Sequence, residues 1–162
     1  MYLTHPFDPI YDRTSRILIL GTMPSPKSRE NQFYYTHPQN RFWRVISELL
    51  GEPIPQTNQE RTAFLLKNHI ALWDVLRSCD IHGAEDSSIR QAAVNDFSKI
   101  LSHSSIAQVF TTGKKSYDLY NKYCEVQTGI PAIYLPSTSP ANQGRYPYER
   151  LLEEWKIIKK YL

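Results

Sequence analysis

At 162 residues, with 41% apolar and 22% charged side chains, the chain has material for one packed domain, residues 1–162, and no apolar run of membrane length. A net charge of +3 permits contact with a polyanion without demanding it. Cys79 and Cys124 lack metal or redox spacing and MYLTHPFDPIYD lacks a leader pattern, so free thiols in a reducing, cytoplasmic setting are expected.

In chain order, RILILG (16–21) is a short apolar run ending in Gly, the pattern of a strand covered on both faces. GTMPSPKSRENQFYYTHPQ then forms a loop of about twenty residues, long enough to need a functional reason. NRFWRVISELLG predicts a helix from Arg41, with Phe42, Ile46 and Leu49 on one face, Asn40 at its N-cap and Gly51 to end it. A second helix is expected near Gln59–Lys67 and a strand at HIALWDVL (69–76), followed by a polar loop. SSIRQAAVNDFSKILSHS places Ile89, Ala93, Phe97 and Ile100 at helical spacing. IAQVFTT (106–112) predicts a strand, GKKSYDLYNKYC a helix and IPAIYLPS (130–137) a strand. ERLLEEWKIIKKYL closes as a helix with Leu151, Trp155, Ile158 and Leu162 inward.

Strands alternating with helices imply a three-layer α/β/α sandwich around a central four-stranded parallel sheet. Ligands of such sheets sit at the carboxyl edge. The loops after Leu20, Thr112 and Leu135 should therefore meet there, although they are far apart in sequence.

Those loops carry a consistent chemistry. The first holds Gly21, the aromatic triplet Phe33-Tyr34-Tyr35 and Asn40; one ring of the triplet is expected in the core and at least one free to stack. Asn40 has two readings: a helix cap, for which Ser or Asp would serve as well, or a carboxamide aimed at a ligand. The last loop, LPSTSPANQGRY, holds hydroxyls and no acid, which suits phosphate positioning or, equally, a turn with Ser caps. TTGKKS is not a P-loop, because Gln108 stands where the first Gly is required and Lys115 follows Lys114. Its two lysines suit a solvated helix start better than a phosphate site. His37 has no partner at metal spacing, so no metal site is expected. No paired carboxylates stand on these loops, which argues against a two-acid sugar hydrolase. What remains is a site with rings, an amide, hydroxyls and little negative charge, suited to a flat heterocycle on a phosphate backbone.

GTMPS after the first strand, HPQNRFW some twenty residues on, and LPSTSPAN after the last strand resemble the uracil-DNA glycosylase superfamily. HPQNRFWRVI is similar to the matching segment of the mismatch-specific uracil/thymine glycosylases. The whole set, with ALWDVL…C and DSSIR, most resembles the hypoxanthine-DNA (deoxyinosine) glycosylase branch. The resemblance implies a DNA repair enzyme that flips a deaminated base and hydrolyses its N-glycosidic bond, without strand cleavage or a metal or organic cofactor. It implies a base pocket of Gly21, Thr22, Met23 and Tyr35, a catalytic role for Asn40, and a loop of Ser137, Thr138, Ser139 and Pro140 pinching the DNA backbone. Asn142 or Gln143 would fill the space the base vacates, and the enzyme would act as a monomer. Met23 departs from the pattern: most branches place a catalytic Asp or Asn there, and a thioether cannot orient water. A uracil/thymine mismatch glycosylase, a non-catalytic damage binder and a nucleotide enzyme on the same frame are the rival expectations.

Overall fold

A computed structural model describes residues 1–162. Strand β1 is Tyr2–Thr4, followed by β2 (Ile17–Gly21), α1 (Pro26–Asn31), α2 (Phe42–Leu50), α3 (Asn58–Lys67), β3 (Ile70–Asp74) and β4 (Leu76–Asp80). Then come β5 (Arg90–Val94), α4 (Ser98–Ser102), β6 (Gln108–Thr112), α5 (Lys114–Leu119), α6 (Glu125–Thr128), β7 (Ala132–Leu135) and α7 (Tyr148–Trp155). No helix is long and apolar enough to cross a membrane.

The central sheet has the order β3-β2-β6-β7, all parallel, as expected. Alternation along β2 divides the interior: Ile17 and Ile19 join one core with Phe42, Ile46, Leu151 and Trp155, while Leu18 and Leu20 join a second with Phe97, Val109 and Tyr120. Cys79 and Cys124 are unpaired thiols buried in this second core. Burial pushes the Cys124 thiol up to about 11.

Several expectations need correction. The long first loop contains α1, whose start is written in Ser25-Pro26: Ser25 accepts the Ser28 N–H and Pro26 needs no partner. Helix α2 begins at Phe42 with Arg41 at the cap position, so Asn40 lies one residue further out than expected. The long helix expected over SSIRQAAVNDFSKILSHS is a strand followed by a short helix, β5 and α4. Ile89, Phe97 and Ile100 are buried as their pattern implies, but β5 pairs antiparallel with β4, which itself pairs with β1. This second sheet, β1-β4-β5, depends on a partner strand more than seventy residues away, which no local window contains. The helix after β6 relaxes into a π-helical turn at Tyr120–Cys124, and the last helix tightens to 3₁₀ geometry over Lys156–Tyr161.

Val75 alone separates β3 from β4. Its N–H donates to the Gly21 carbonyl at 2.8 Å, and Leu76 N–H donates to the Thr22 carbonyl at 3.1 Å. The buried Asn95 amide donates to the carbonyls of Asp74 and Leu76 at 2.8 and 3.2 Å. The chain thus leaves the parallel sheet at a braced corner beside the end of β2.

Candidate base-binding cavity

The carboxyl ends of β2, β3 and β6 open into a cavity of about 300 Å³. Gly21, Thr22, Met23, Tyr35 and Asn40 line it, together with Ser137, Thr138, Ser139 and Pro140. Three distant stretches of chain therefore meet at one sheet edge. Asn142 and Gln143 do not line it: the Asn142 amide donates to the Ser137 carbonyl at 3.0 Å, and exposed Gln143 borders a neighbouring cavity.

Gly21 is required by close approach. A Cβ there would stand 2.6 Å from Asp74 Oδ1 and 3.1 Å from the Tyr35 hydroxyl. The register that pairs Gly21 with Asp74 places that carboxylate against the end of β2. Asp74 is buried. His5 Nε2 lies 2.7 Å from Asp74 Oδ2, while the Phe7 N–H donates to His5 Nδ1 at 3.1 Å. A backbone N–H can only donate, so Nδ1 is the accepting nitrogen and the ring proton sits on Nε2, donated to Asp74. Oδ1 is left as an unspent acceptor in the cavity wall.

The aromatic triplet divides differently from expectation, with two rings in the core. Phe33 and Tyr34 are buried, and the Tyr34 hydroxyl donates to the Asp8 carbonyl at 2.9 Å. Tyr34 and Tyr35 both contribute to the cavity lining; Tyr35, the less buried of the two, stacks on Phe42 with centroids 4.1 Å apart. Its backbone is left-handed at φ +57°, a conformation that costs about 1–3 kcal/mol in a residue with a side chain. Its hydroxyl is buried without a partner. Burial, then the Asp74 charge, raise the Tyr35 phenol far above its ordinary value.

Asn40 is fixed from two sides. Its Oδ1 accepts the Phe42 N–H at 2.9 Å and the Thr138 hydroxyl at 2.8 Å. The Phe42 donor dictates which side-chain atom is oxygen, so the amide N–H groups remain unspent. The oxygen end braces the start of α2 from one residue outside the cap position, and the amide end has no protein partner.

Arg41, absent from the sequence expectations, secures the last loop. Its N–H donates to the Thr138 carbonyl at 3.1 Å, and its guanidinium donates to the carbonyls of Ser139, at 3.3 Å, and Tyr146. The loop's hydroxyls are partly structural: Ser137 accepts the Ser139 N–H at 3.1 Å and Ser139 the Ala141 N–H at 3.2 Å.

The expectation of little negative charge is overturned. Asp74 and Asp86 both line the cavity. Asp86 is exposed overall, but desolvation in the cleft, then the Asp74 charge, hold its carboxyl above the usual carboxylate range. Asp74 escaped the sequence reading because the strand was drawn through 69–76, hiding its end. His5 escaped because nothing local marks it. His37 is a turn residue, its Nδ1 accepting the Gln39 N–H at 3.1 Å.

The chain matches the family model of the uracil DNA glycosylase superfamily over residues 9–161. It is 38% identical over 112 residues to a hypoxanthine DNA glycosylase of Methanosarcina barkeri, covering 68% of this chain and 71% of that protein. It is 32% identical over 159 residues to the hypoxanthine DNA glycosylase of Methanosarcina acetivorans, covering 96% and 97%. A solution NMR structure from Methanosarcina acetivorans, described as a candidate uracil DNA glycosylase, superposes with a TM-score of 0.82 at 31% identity, covering 98% of this chain and 96% of the other.

Proposed function

Since the chain belongs to the uracil DNA glycosylase superfamily and is a DNA N-glycosylase, we propose that it removes deaminated bases, hypoxanthine above all, by extruding the nucleotide and hydrolysing its glycosidic bond without cutting the strand. The observation that carries this reading is the free Asp74 oxygen in the same cavity as Tyr35 and Asn40. Deamination of adenine replaces a ring nitrogen lone pair by N–H, and an exocyclic amine by a carbonyl oxygen. A fixed carboxylate accepts from that new N–H and repels the lone pair of the parent base. A site built around such a hydrogen bond discriminates strongly, because the wrong base leaves a buried charge unpaired.

Extrusion costs a few kcal/mol, least for poorly paired bases. Stacking on Tyr35 returns about 1–3 kcal/mol. As the C1′–N bond breaks, its electron pair passes to the base and the sugar becomes cationic. The Asn40 amide N–H groups suit the electron-rich leaving base. The other role open to Asn40, accepting a hydrogen bond from water, is disfavoured because its oxygen is already committed. Water adds its oxygen to C1′ and its proton is released to the base or solvent. An electrophilic sugar cation needs no strong base for this capture, so Met23 does not preclude turnover.

The test is a panel of duplexes carrying inosine, xanthine, uracil or adenine. Hypoxanthine release should leave an abasic site that breaks only on alkaline treatment. Release of uracil alone would replace the reading by its relative, since uracil presents the same N–H and carbonyl pair on a smaller ring. Lesion binding without an abasic product would reject it.

A further inference from the structure

A second cavity, of about 540 Å³, adjoins the first and shares Tyr35, His37 and Asn40 with it. Its character is opposite. Arg41, Arg44 and Arg61 line it, and no Asp or Glu does. Two acids stand behind its lining: Glu48 accepts the hydroxyl of Tyr148 at 2.9 Å and Glu60 the N–H of Gln56 at 2.9 Å, both partners being lining residues.

Two of the guanidiniums are held in place yet keep donors to spare. The Arg44 guanidinium carbon lies over the Tyr148 ring, 3.6 Å from its centroid. Arg61 donates to Asn58 Oδ1 at 2.7 Å and sits 5.9 Å from the Trp43 ring centroid. Its Nε is buried without a partner. Partial burial lowers its pKa from the ordinary arginine value, against the opposing charge of Glu60. Arg41 has spent its terminal nitrogens on the last loop and serves as the cavity's fixed wall. A polar trough lined by positioned cations and by no carboxylate fits a phosphodiester chain.

Building on the glycosylase reading, we propose that this trough holds the DNA strand on one side of the extruded nucleotide, with a phosphate between Arg44 and Arg61. The shared wall of Tyr35, His37 and Asn40 sets the geometry: a base in the acidic cavity places its strand at the mouth of the basic one. Gln143 is exposed and borders the trough. The trough adds affinity and orientation to the strand and takes no part in bond cleavage.

The experiment uses inosine-containing single strands and duplexes truncated stepwise from either side of the lesion. The wild type is compared with Arg44→Gln/Arg61→Gln and with the charge-keeping Arg44→Lys/Arg61→Lys, their folding checked by thermal unfolding. The wild type should lose affinity on truncation from one side only, and the Gln pair should be indifferent to that truncation. Removing the contacts to that phosphate should flatten the salt dependence, so that between about 50 and 200 mM salt the wild type loses roughly three- to fourfold more affinity than the Gln pair. The Lys pair should keep most of the salt slope. A Gln pair with wild-type affinity, salt slope and truncation profile would overturn the proposal. Affinity is read separately from excision, so a wild type that releases no base rejects the glycosylase reading while the trough is still judged on binding.

Discussion

Two cavities back onto one wall, and their charges are opposed. One gathers Asp74 and Asp86 around a stacked tyrosine; the other gathers three arginines and no acid. The difference separates two tasks that a small net charge conceals. A carboxylate suits a neutral ring bearing an N–H and repels phosphate, so on the proposed reading the acidic cavity would admit a base and exclude the backbone. The arginines of the other cavity suit a phosphodiester chain without regard to its sequence. Tyr35 and Asn40 stand on the shared wall.

The comparison breaks most sharply at Asn40. Asn40→Asp keeps the oxygens that cap Phe42 and bond Thr138 but removes the N–H donors, so single-turnover excision should fall by about 10²–10³ with an unchanged thermal midpoint. Full activity in that folded variant would remove Asn40 from the chemistry. Asp74→Asn comes next. It should cost about 10–100-fold in hypoxanthine release, the worth of a hydrogen bond to a charged acceptor, and narrow the preference over adenine in competition assays. Arg41→Lys keeps the charge but cannot serve the Ser139 and Tyr146 carbonyls together. About a tenfold loss of excision should follow from the displaced loop, with faster amide exchange across residues 137–146.

The smallest effect sharpens the acidic side. Because the Asp86 pKa is raised, its carboxyl takes up a proton at a higher pH than an ordinary aspartate, and DNA affinity should gain a few-fold as the pH falls through that range. Asp86→Asn should show this gain already at neutral pH and lose the acid-side rise. The sign for stability agrees. A carboxyl raised on folding contributes stability below its unfolded value of about 3.8 and loses it as the pH climbs through the folded value. The variant should therefore melt slightly higher at neutral pH.

The parallel sheet was legible because each strand carries its own signal. RILILG needs nothing beyond itself to read as a doubly covered strand, and the convergence of three loops follows from topology alone. The β1-β4-β5 sheet was not legible, because Arg90–Val94 becomes a strand only beside β4. Ile89, Phe97 and Ile100 kept helical spacing by coincidence across a strand, a turn and a helix. The uncharged half of the base cavity was visible for the same local reason: Tyr35 and Asn40 belong to one conspicuous stretch. The charged half was hidden, since Asp74 acquires its meaning from a chain break one residue later and from His5, sixty-nine positions earlier.

Residues 2–4 make a strand of the second sheet, and His5, next in the chain, holds its imidazole against Asp74. On the proposed reading the amino end would then be part of the instrument that chooses the substrate, and shaving it would blunt selectivity while every conspicuous motif stayed intact.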